Sequence, residues 1–128
     1  MEEIDITLNK REFTALIRTE IFHFLRSLAA GRYDAAATLV SPWTEPDLLN
    51  LTEAYYQQHE RLTLDPEARN HKHTYVIPDE ETGVWTIQQV LVDPEGLNDW
   101  QATFTVDKTL ARQEGKPTLQ LVSLAAIA

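Results

Sequence analysis

Cysteine is absent from the 128 residues of the chain, which excludes disulfide bonds, thiol nucleophiles and thiolate metal sites. Runs of basic residues are missing too, because Lys10 and Arg11 form the densest cationic pair. In total, 11 basic residues face 20 acidic ones, which gives a formal charge of −9. Since phosphate backbones are bound through clusters of lysine and arginine, we expect no direct contact with nucleic acid.

Long apolar runs are also lacking. The longest ones fall far short of the roughly 20 residues that a membrane-spanning helix requires, so we expect no membrane contact. The first five residues, Met1 to Asp5, are acidic where a secretory leader would be basic. Together with the lack of cysteine, this pattern predicts a cytoplasmic protein.

The first half of the chain has the periodicity of helices. Residues 1–8 are predicted to form an arm or a short edge strand, and residues 9–128 a single domain. Asn9 is a candidate N-cap for a helix over residues 10–30, which Gly31 would end. Its apolar stripe comprises Phe13, Ile17, Ile21, Phe24 and Leu28.

Two shorter helices are predicted to follow. Asp34 would cap the first of them, over residues 35–40, and Thr44 the second, which would end near Leu62. The second of these helices presents an apolar stripe to the core. The stripe comprises Leu48, Leu51, Tyr55 and His59.

From about His71 the apolar residues recur every second position, as in strands with one wet face. Turn residues separate the four predicted strands, including a turn over residues 108–117 before the last strand. The strands cover residues 71–78, 84–92, 99–107 and 118–127. Helices followed by strands indicate an α+β fold, with three N-terminal helices packed on a four-stranded antiparallel meander. This order resembles the cone-shaped nuclear transport factor 2-like, or cystatin-like, fold.

The turn between the second and third strands fixes their predicted register. If Val92 faces Asp99, then Leu91 faces Trp100, and Trp85 faces Val106. Both tryptophans then lie on the core face, and threonines and glutamines lie on the other.

Extending this register across the sheet predicts a polar row on its apolar face. His73 would face Gln89, and Ala102 would face Ser123. Since apolar pockets with a few convergent polar groups bind small ligands, one interpretation is a pocket. The other is a network in which these groups hydrogen-bond one another. The candidate ligand-binding residues are Tyr55, His59, His73, Gln89 and Ser123.

The histidines allow two kinds of chemistry. His71 and His73 would share a strand face and offer two metal ligands. A third ligand would have to come from His59 or a carboxylate such as Asp99, and nothing in the sequence fixes that partner. Either His59 or His73 could form a histidine–carboxylate pair for acid–base catalysis. The carboxylate would come from Glu53, Asp93 or Asp99. No complete catalytic set is present, and we expect no bound metal or cofactor.

The motif W-x-I-x-Q-x-L-x-D-P-x-G-x-x-D-W extends from Trp85 to Trp100. It resembles the uncharacterised domain at the C-terminus of certain bacterial DEAD/DEAH-box helicases. Two weaker stretches agree, N-x-R-x-F from Asn9 through Ile17-Arg18 and P-E-A-R at residues 66–69, so the resemblance extends from Asn9 to the end. The G-x-x-x-x-G-K-[ST] phosphate loop of a helicase motor is missing, and D-E-E-T at residues 79–82 is only superficially similar to a DEAD box.

The resemblance implies a noncatalytic accessory domain without the ATPase motor. Its expected partners are the helicase motor, another protein or a second copy of the chain. The alternative is a small-molecule-binding protein or enzyme of the cone-shaped class, with its pocket around His73 and Gln89. A filled interior would favour the first function, and an open cavity the second.

Overall fold

The computed structural model describes residues 5–127, which form three helices, a short 3₁₀ turn and a sheet interrupted by a fourth helix. The α+β class and the predicted order of three helices before four strands are confirmed. The elements are α1 (Lys10–Ala29), α2 (Tyr33–Leu39), α3 (Glu45–Gln58), the 3₁₀ turn (His71–His73), β1 (Thr74–Ile77), β2 (Val84–Leu91), β3 (Trp100–Asp107), α4 (Lys108–Glu114) and β4 (Leu119–Ala126).

Helix α1 begins and ends where its sequence predicts. The side chain of Asn9 accepts a hydrogen bond from the Glu12 N–H at 3.0 Å, which satisfies one of the free amides of the first turn. Gly31 has a φ of 74°, and Arg32 donates its N–H to the Ser27 carbonyl at 2.8 Å. This left-handed position and the bond back into the helix define a Schellman cap. All five residues of the predicted stripe are buried.

Helix α3 has the predicted start but a different end. Thr44 and Asp47 form a capping box, in which each side chain accepts from the other's backbone N–H. The helix stops at Gln58, and His59 is extended at φ −130° and ψ 143°. The predicted continuation to Leu62 is therefore wrong. The imidazole of His59 points to the β2–β3 turn, where its carboxylate partners Glu95 and Asp99 lie.

The sheet has the strand order β1-β2-β3-β4, with every pair antiparallel. Between β2 and β3 the predicted register is confirmed, since Leu91 pairs with Trp100 and Trp85 with Val106. Both indoles point inward and are at most 5% exposed. The turn motif of the sequence thus fixed the centre of the sheet correctly.

The registers of the two outer strands differ from the prediction in part. Between β3 and β4 the predicted pairing is confirmed from Phe104–Leu121 to Val106–Leu119 and shifts by one residue beyond these pairs. Thr74, and not His73, pairs with Gln89, because residues 71–73 form the 3₁₀ turn. In β4 a bulge opposite Thr103 and Phe104 moves Ser123 to face Thr103, so Leu124 faces Ala102. A bulge adds one residue to one strand and reverses the face of those beyond it. The predicted polar row is therefore wrong.

The predicted turn over residues 108–117 contains helix α4. Asp107 caps it by accepting from the N–H groups of Thr109 and Leu110, and Gly115 ends it at a φ of 74°. Within the described part of the predicted N-terminal arm, residues 5–8 form a turn. Arg112 of α4 holds this turn through a 3.0 Å bond to the Thr7 hydroxyl. Residues 1–4 lie outside the described part of the chain.

The core lies between α1 and the inner face of the sheet. Phe13 packs edge-to-face on Trp85 at 5.2 Å between ring centroids, and Phe24 packs likewise on Phe104 at 5.7 Å. All four rings are at most 1% exposed, and such aromatic contacts contribute beyond the area they bury. None of the helices in residues 5–127 combines the length and apolar character that crossing a bilayer requires.

Candidate functional site

His59 lies at the end of α3, where the β2–β3 turn packs against this helix. Its N–H donates to the Tyr55 carbonyl at 2.9 Å, which closes the last turn of the helix. The side chain is 3% exposed and lies against the Tyr55 ring, with 5.1 Å between ring centroids. The extended backbone of His59 therefore directs a buried imidazole into the turn that carries the D-P-x-G motif.

Three carboxylates surround this imidazole. Nδ1 of His59 lies 3.0 Å from Oε1 of Glu95, and Nε2 lies 2.8 Å from Oδ1 of Asp99. The Asp93 carboxylate lies 3.7 Å from Nδ1. A neutral imidazole carries one N–H and can donate to only one of the two hydrogen-bonded acids. The geometry therefore fits the imidazolium, which donates to both.

The pKa of His59 agrees with this assignment. Burial lowers the pKa, but the hydrogen bonds to Glu95 and Asp99 and the charge of Asp93 outweigh it, and the net shift is upward. Both ring nitrogens are then donors, so His59 offers no lone pair to a substrate. It acts as a charged clamp between α3 and the turn.

Asp93 builds the turn itself. It is 3% exposed, and its carboxylate accepts from the N–H groups of Leu97 at 3.1 Å and Asn98 at 2.8 Å. Burial raises the pKa of Asp93, but these backbone bonds and the charge of His59 lower it by more. The net pKa shift is downward, which favours the ionised carboxylate. Asn98 has a φ of 51° and Gly96 one of 73°, conformations that favour these two residue types.

Tyr55 and Trp100 complete the contact between α3 and the sheet. The Tyr55 hydroxyl donates to the Arg61 carbonyl at 3.0 Å, and its ring packs edge-to-face on Trp100 at 5.6 Å. Burial raises the pKa of Tyr55 strongly, so the phenol stays neutral. The Trp100 indole N–H donates to the side chain of Gln58 at 3.0 Å. Each polar tip is satisfied within the fold.

Among the described residues, one group of side chains has the spacing of a metal site, namely His59, Asp93 and Glu95, with ligand atoms within 4.8 Å of one another. A metal requires a neutral imidazole nitrogen as its ligand. Here that nitrogen donates to Glu95, and Asp93 is committed to the turn's backbone. The donor set therefore fits a histidinium better than a metal ion.

The pair that the sequence offered for a metal, His71 and His73, is split by the 3₁₀ turn. His73 is buried, with its Nε2 3.4 Å from a Glu67 oxygen. His71 is exposed, and its Nε2 lies 3.4 Å from the guanidinium of Arg18. The two imidazoles therefore have different partners.

Gln89 is wholly buried in a polar chain that links α1 to the sheet. Nε of Arg18 donates to the Thr74 hydroxyl at 3.1 Å, and that hydroxyl donates to Oε1 of Gln89 at 2.5 Å. The Gln89 amide then donates to the Val90 carbonyl at 3.3 Å. The enclosed space beside Gln89 has a volume of about 10 Å³, barely that of one water molecule.

The five predicted ligand-binding residues thus occupy different places. Tyr55 and His59 lie together at the end of α3, and Gln89 lies beside Thr74. His73 contacts Glu67, and Ser123 faces Thr103 beyond the bulge. Of the considered acid–base pairs, the structure brings together His59 with Asp93 and Asp99.

Sequence reasoning missed Arg18, Thr74 and Glu95. Arg18 lies on the side of α1 that the 65–73 segment covers, which helical periodicity cannot distinguish from a solvent-exposed side. Glu95 could have been found, because it lies between Asp93 and Asp99, which are both candidates for the acid–base pair.

The comparisons with known proteins give one result. A family model described as "Domain of unknown function (DUF3516)" matches residues 1–124. Neither the curated proteins nor the solved structures yielded a match. Because the family model covers nearly the whole length, the chain belongs to the DUF3516 family of domains of unknown function.

Proposed function

We propose that this domain is a noncatalytic accessory domain of bacterial DEAD/DEAH-box helicases and acts by binding other macromolecules. The proposal that the domain is noncatalytic rests on His59, because both of its ring nitrogens contact carboxylates of the same chain. General acid–base catalysis needs a group that can exchange a proton with a substrate. In this cluster both ring nitrogens of His59 and the buried Asp93 carboxylate are engaged within the fold.

The association with a helicase rests on the motif between Trp85 and Trp100. Its Asp93, Gly96 and Asp99 build the β2–β3 turn and its clamp on α3. The resemblance therefore involves residues that determine this fold, and a protein with the same motif is expected to share it. We further propose that the fold is of the nuclear transport factor 2-like type, supported by the order of helices before an antiparallel meander.

The alternative, a small-molecule-binding protein or enzyme of the cone-shaped class, stays a prediction. It requires a cavity of a few hundred Å³ lined by apolar walls and a few polar groups. The space beside Gln89 is about 10 Å³. No feature of this site favours the alternative over the accessory function.

An acidic accessory domain is suited to electrostatic docking on a basic motor surface. Among the exposed acids of the described residues, two separate groups lie on or beside helices. Glu45 and Glu53 lie on α3, and Glu81 and Glu114 lie near the β1–β2 turn and α4, which a bond from Lys108 N–H to the Gly83 carbonyl holds together. Either place offers a negative surface to the motor.

Isothermal titration of the domain against the motor fragment of a helicase that carries this family domain tests the proposal. We expect binding at about 50 mM salt that weakens at about 200 mM. The variants E45Q/E53Q and E81Q/E114Q each remove two charges, so a difference between them identifies the docking surface. Absence of binding at low salt contradicts the helicase association. A motor whose natural protein lacks the domain is the negative control.

A further inference from the structure

Arginines that are far apart in the sequence lie together along one side of α1. Three adjoining depressions, with volumes of about 390, 260 and 370 Å³, share Arg26 as a lining residue. We call this surface the arginine groove. Its basic residues are Arg18, Arg26, Arg32, Arg69, His23 and His71.

The charge of this groove is not neutralised by the fold. No carboxylate oxygen of residues 5–127 lies within 4.0 Å of any of its four arginines. Glu67, in the same turn as Arg69, contacts Lys72 at 2.7 Å and His73 at 3.4 Å instead. The described residues of a chain with net charge −9 thus include an arginine-lined groove.

Arg18 anchors the groove and is held in place. Its guanidinium donates to the Thr74 hydroxyl and the Arg69 carbonyl, and it lies over the Phe22 ring at 5.2 Å from the centroid. The bond from Arg18 to the Arg69 carbonyl holds the backbone of Arg69 beside α1. Arg26 and Arg69 are exposed, so their guanidinium groups are free to meet a ligand.

We infer that the arginine groove binds the phosphate backbone of single-stranded nucleic acid. Arg18 and Arg26 are eight residues apart on α1, which is about 12 Å along the helix axis. Cations repeated over that distance match a polymer with regularly spaced charges better than a single phosphate. The planar guanidinium also donates two parallel hydrogen bonds to phosphate oxygens, which a lysine does not.

An acidic protein segment is a poorer match for this surface. Protein interfaces draw their affinity from apolar and aromatic anchors buried in pockets. The aromatic ring in the groove, Phe22, is 9% exposed and already covered by Arg18. The negative charge of the rest of the domain would confine a nucleic acid strand to the groove.

This inference opposes the expectation from total charge that the domain makes no nucleic-acid contact. The two are decided by one measurement on the isolated chain. Nucleic-acid binding by the groove is independent of the helicase association, because the isolated domain can bind without a motor. If one proposal fails, the other is still tested by its own titration.

Fluorescence anisotropy with a labelled single-stranded RNA of about ten nucleotides tests the inference. We expect saturable binding at about 50 mM salt, with a logarithmic salt slope of about −2 for three phosphate contacts. The variant R26Q/R69Q should weaken binding about tenfold or more and reduce the slope by about 1.4, since each lost contact accounts for about 0.7. Both residues are exposed, so the fold should persist, which a thermal melt checks.

The matched control is R112Q/K116Q, which removes two positive charges at and after α4, away from the groove. Because Arg112 also bonds the Thr7 hydroxyl, a thermal melt of this variant checks its fold as well. Its affinity should stay within about twofold of the unaltered chain, because it loses no phosphate contact. Equal losses in the two variants, or no binding of RNA at low salt, overturn the inference. Polyglutamate of equal charge should displace the RNA poorly. Equally effective displacement would show a general anion surface and would also overturn it.

Discussion

Nε2 of His59 lies 2.8 Å from Oδ1 of Asp99, forty residues further along the chain. The contact joins the end of α3 to the first residues before β3, and Glu95 holds the other ring nitrogen at 3.0 Å. Three groups that titrate thus fix one junction between the helices and the sheet. Its stability should depend on pH in a way that the structure defines.

The first prediction concerns His59→Gln. The pKa of His59 is raised in the folded chain, so its contribution is complete below the unfolded pKa near 6.5 and is lost as pH rises through the folded value. Removing a buried imidazolium that donates to two half-exposed carboxylates costs about 1–3 kcal/mol. The deficit in unfolding free energy should therefore be largest near pH 5.5 and shrink toward pH 9. Urea denaturation at several pH values measures it.

His23→Gln is the matched control for that series. The His23 side chain is exposed on α1, and we expect a change below about 0.5 kcal/mol throughout. A His59→Gln deficit that stays constant with pH, or that grows toward pH 9, would disprove the charged clamp.

The second prediction concerns Asp99→Asn. The amide oxygen still accepts from Nε2, but the negative charge that favours the imidazolium is gone. The pKa of His59 should therefore fall, which the imidazole proton shifts report in an NMR titration. Asp79→Asn is the control, because Asp79 lies in the β1–β2 turn and binds the N–H groups of Glu81 and Thr82. It should leave the His59 titration unchanged. An unchanged His59 titration in Asp99→Asn would contradict the assignment.

The third prediction concerns the buried chain from Thr74 to Gln89. Thr74→Val removes the donor to the wholly buried Oε1 of Gln89, and an unpaired buried acceptor costs about 1–3 kcal/mol. The double variant T74V/Q89L replaces both partners with apolar groups of similar size. It should recover the part of the loss that comes from the unpaired Oε1, because that acceptor is gone. The Nε of Arg18 loses its Thr74 acceptor in both variants, so this part of the loss stays the same. Chemical denaturation gives the unfolding free energies of T74V, Q89L and T74V/Q89L.

The outcome of this cycle distinguishes a structural network from a binding site. If T74V/Q89L is as unstable as the sum of the single variants, the two residues act independently, and the interpretation as a satisfied network is wrong. Recovery in the double variant would support it.

How much the sequence predicted can be seen at particular residues. The register between β2 and β3 followed from the turn chemistry of Asp93, Gly96 and Asn98, because the Asp93 carboxylate binds backbone N–H groups within the same turn. The caps of α1 and α3 followed from Asn9 and Thr44, whose partners lie three residues away. These features depend on neighbours in the chain.

The outer strands were predicted less well. Pro78 and Val84 border the β1–β2 connection, and placing them opposite each other gave a register one residue away from the true pairing. In β4 the predicted register fails beyond the bulge, and the local sequence around Val122 gives no sign of that bulge. Since side chains alternate faces, these two shifts dispersed the predicted polar row.

The sequence by itself determined the α+β class, the first helix with its buried stripe and the inward direction of Trp85 and Trp100. Periodicity and turn chemistry act over a few residues, so they can be read along the chain. Only the tertiary structure decided the partners of His59 and the grouping of Arg18, Arg26 and Arg69. Contacts between distant segments depend on how whole elements pack, and a total charge of −9 conceals where the positive charges meet.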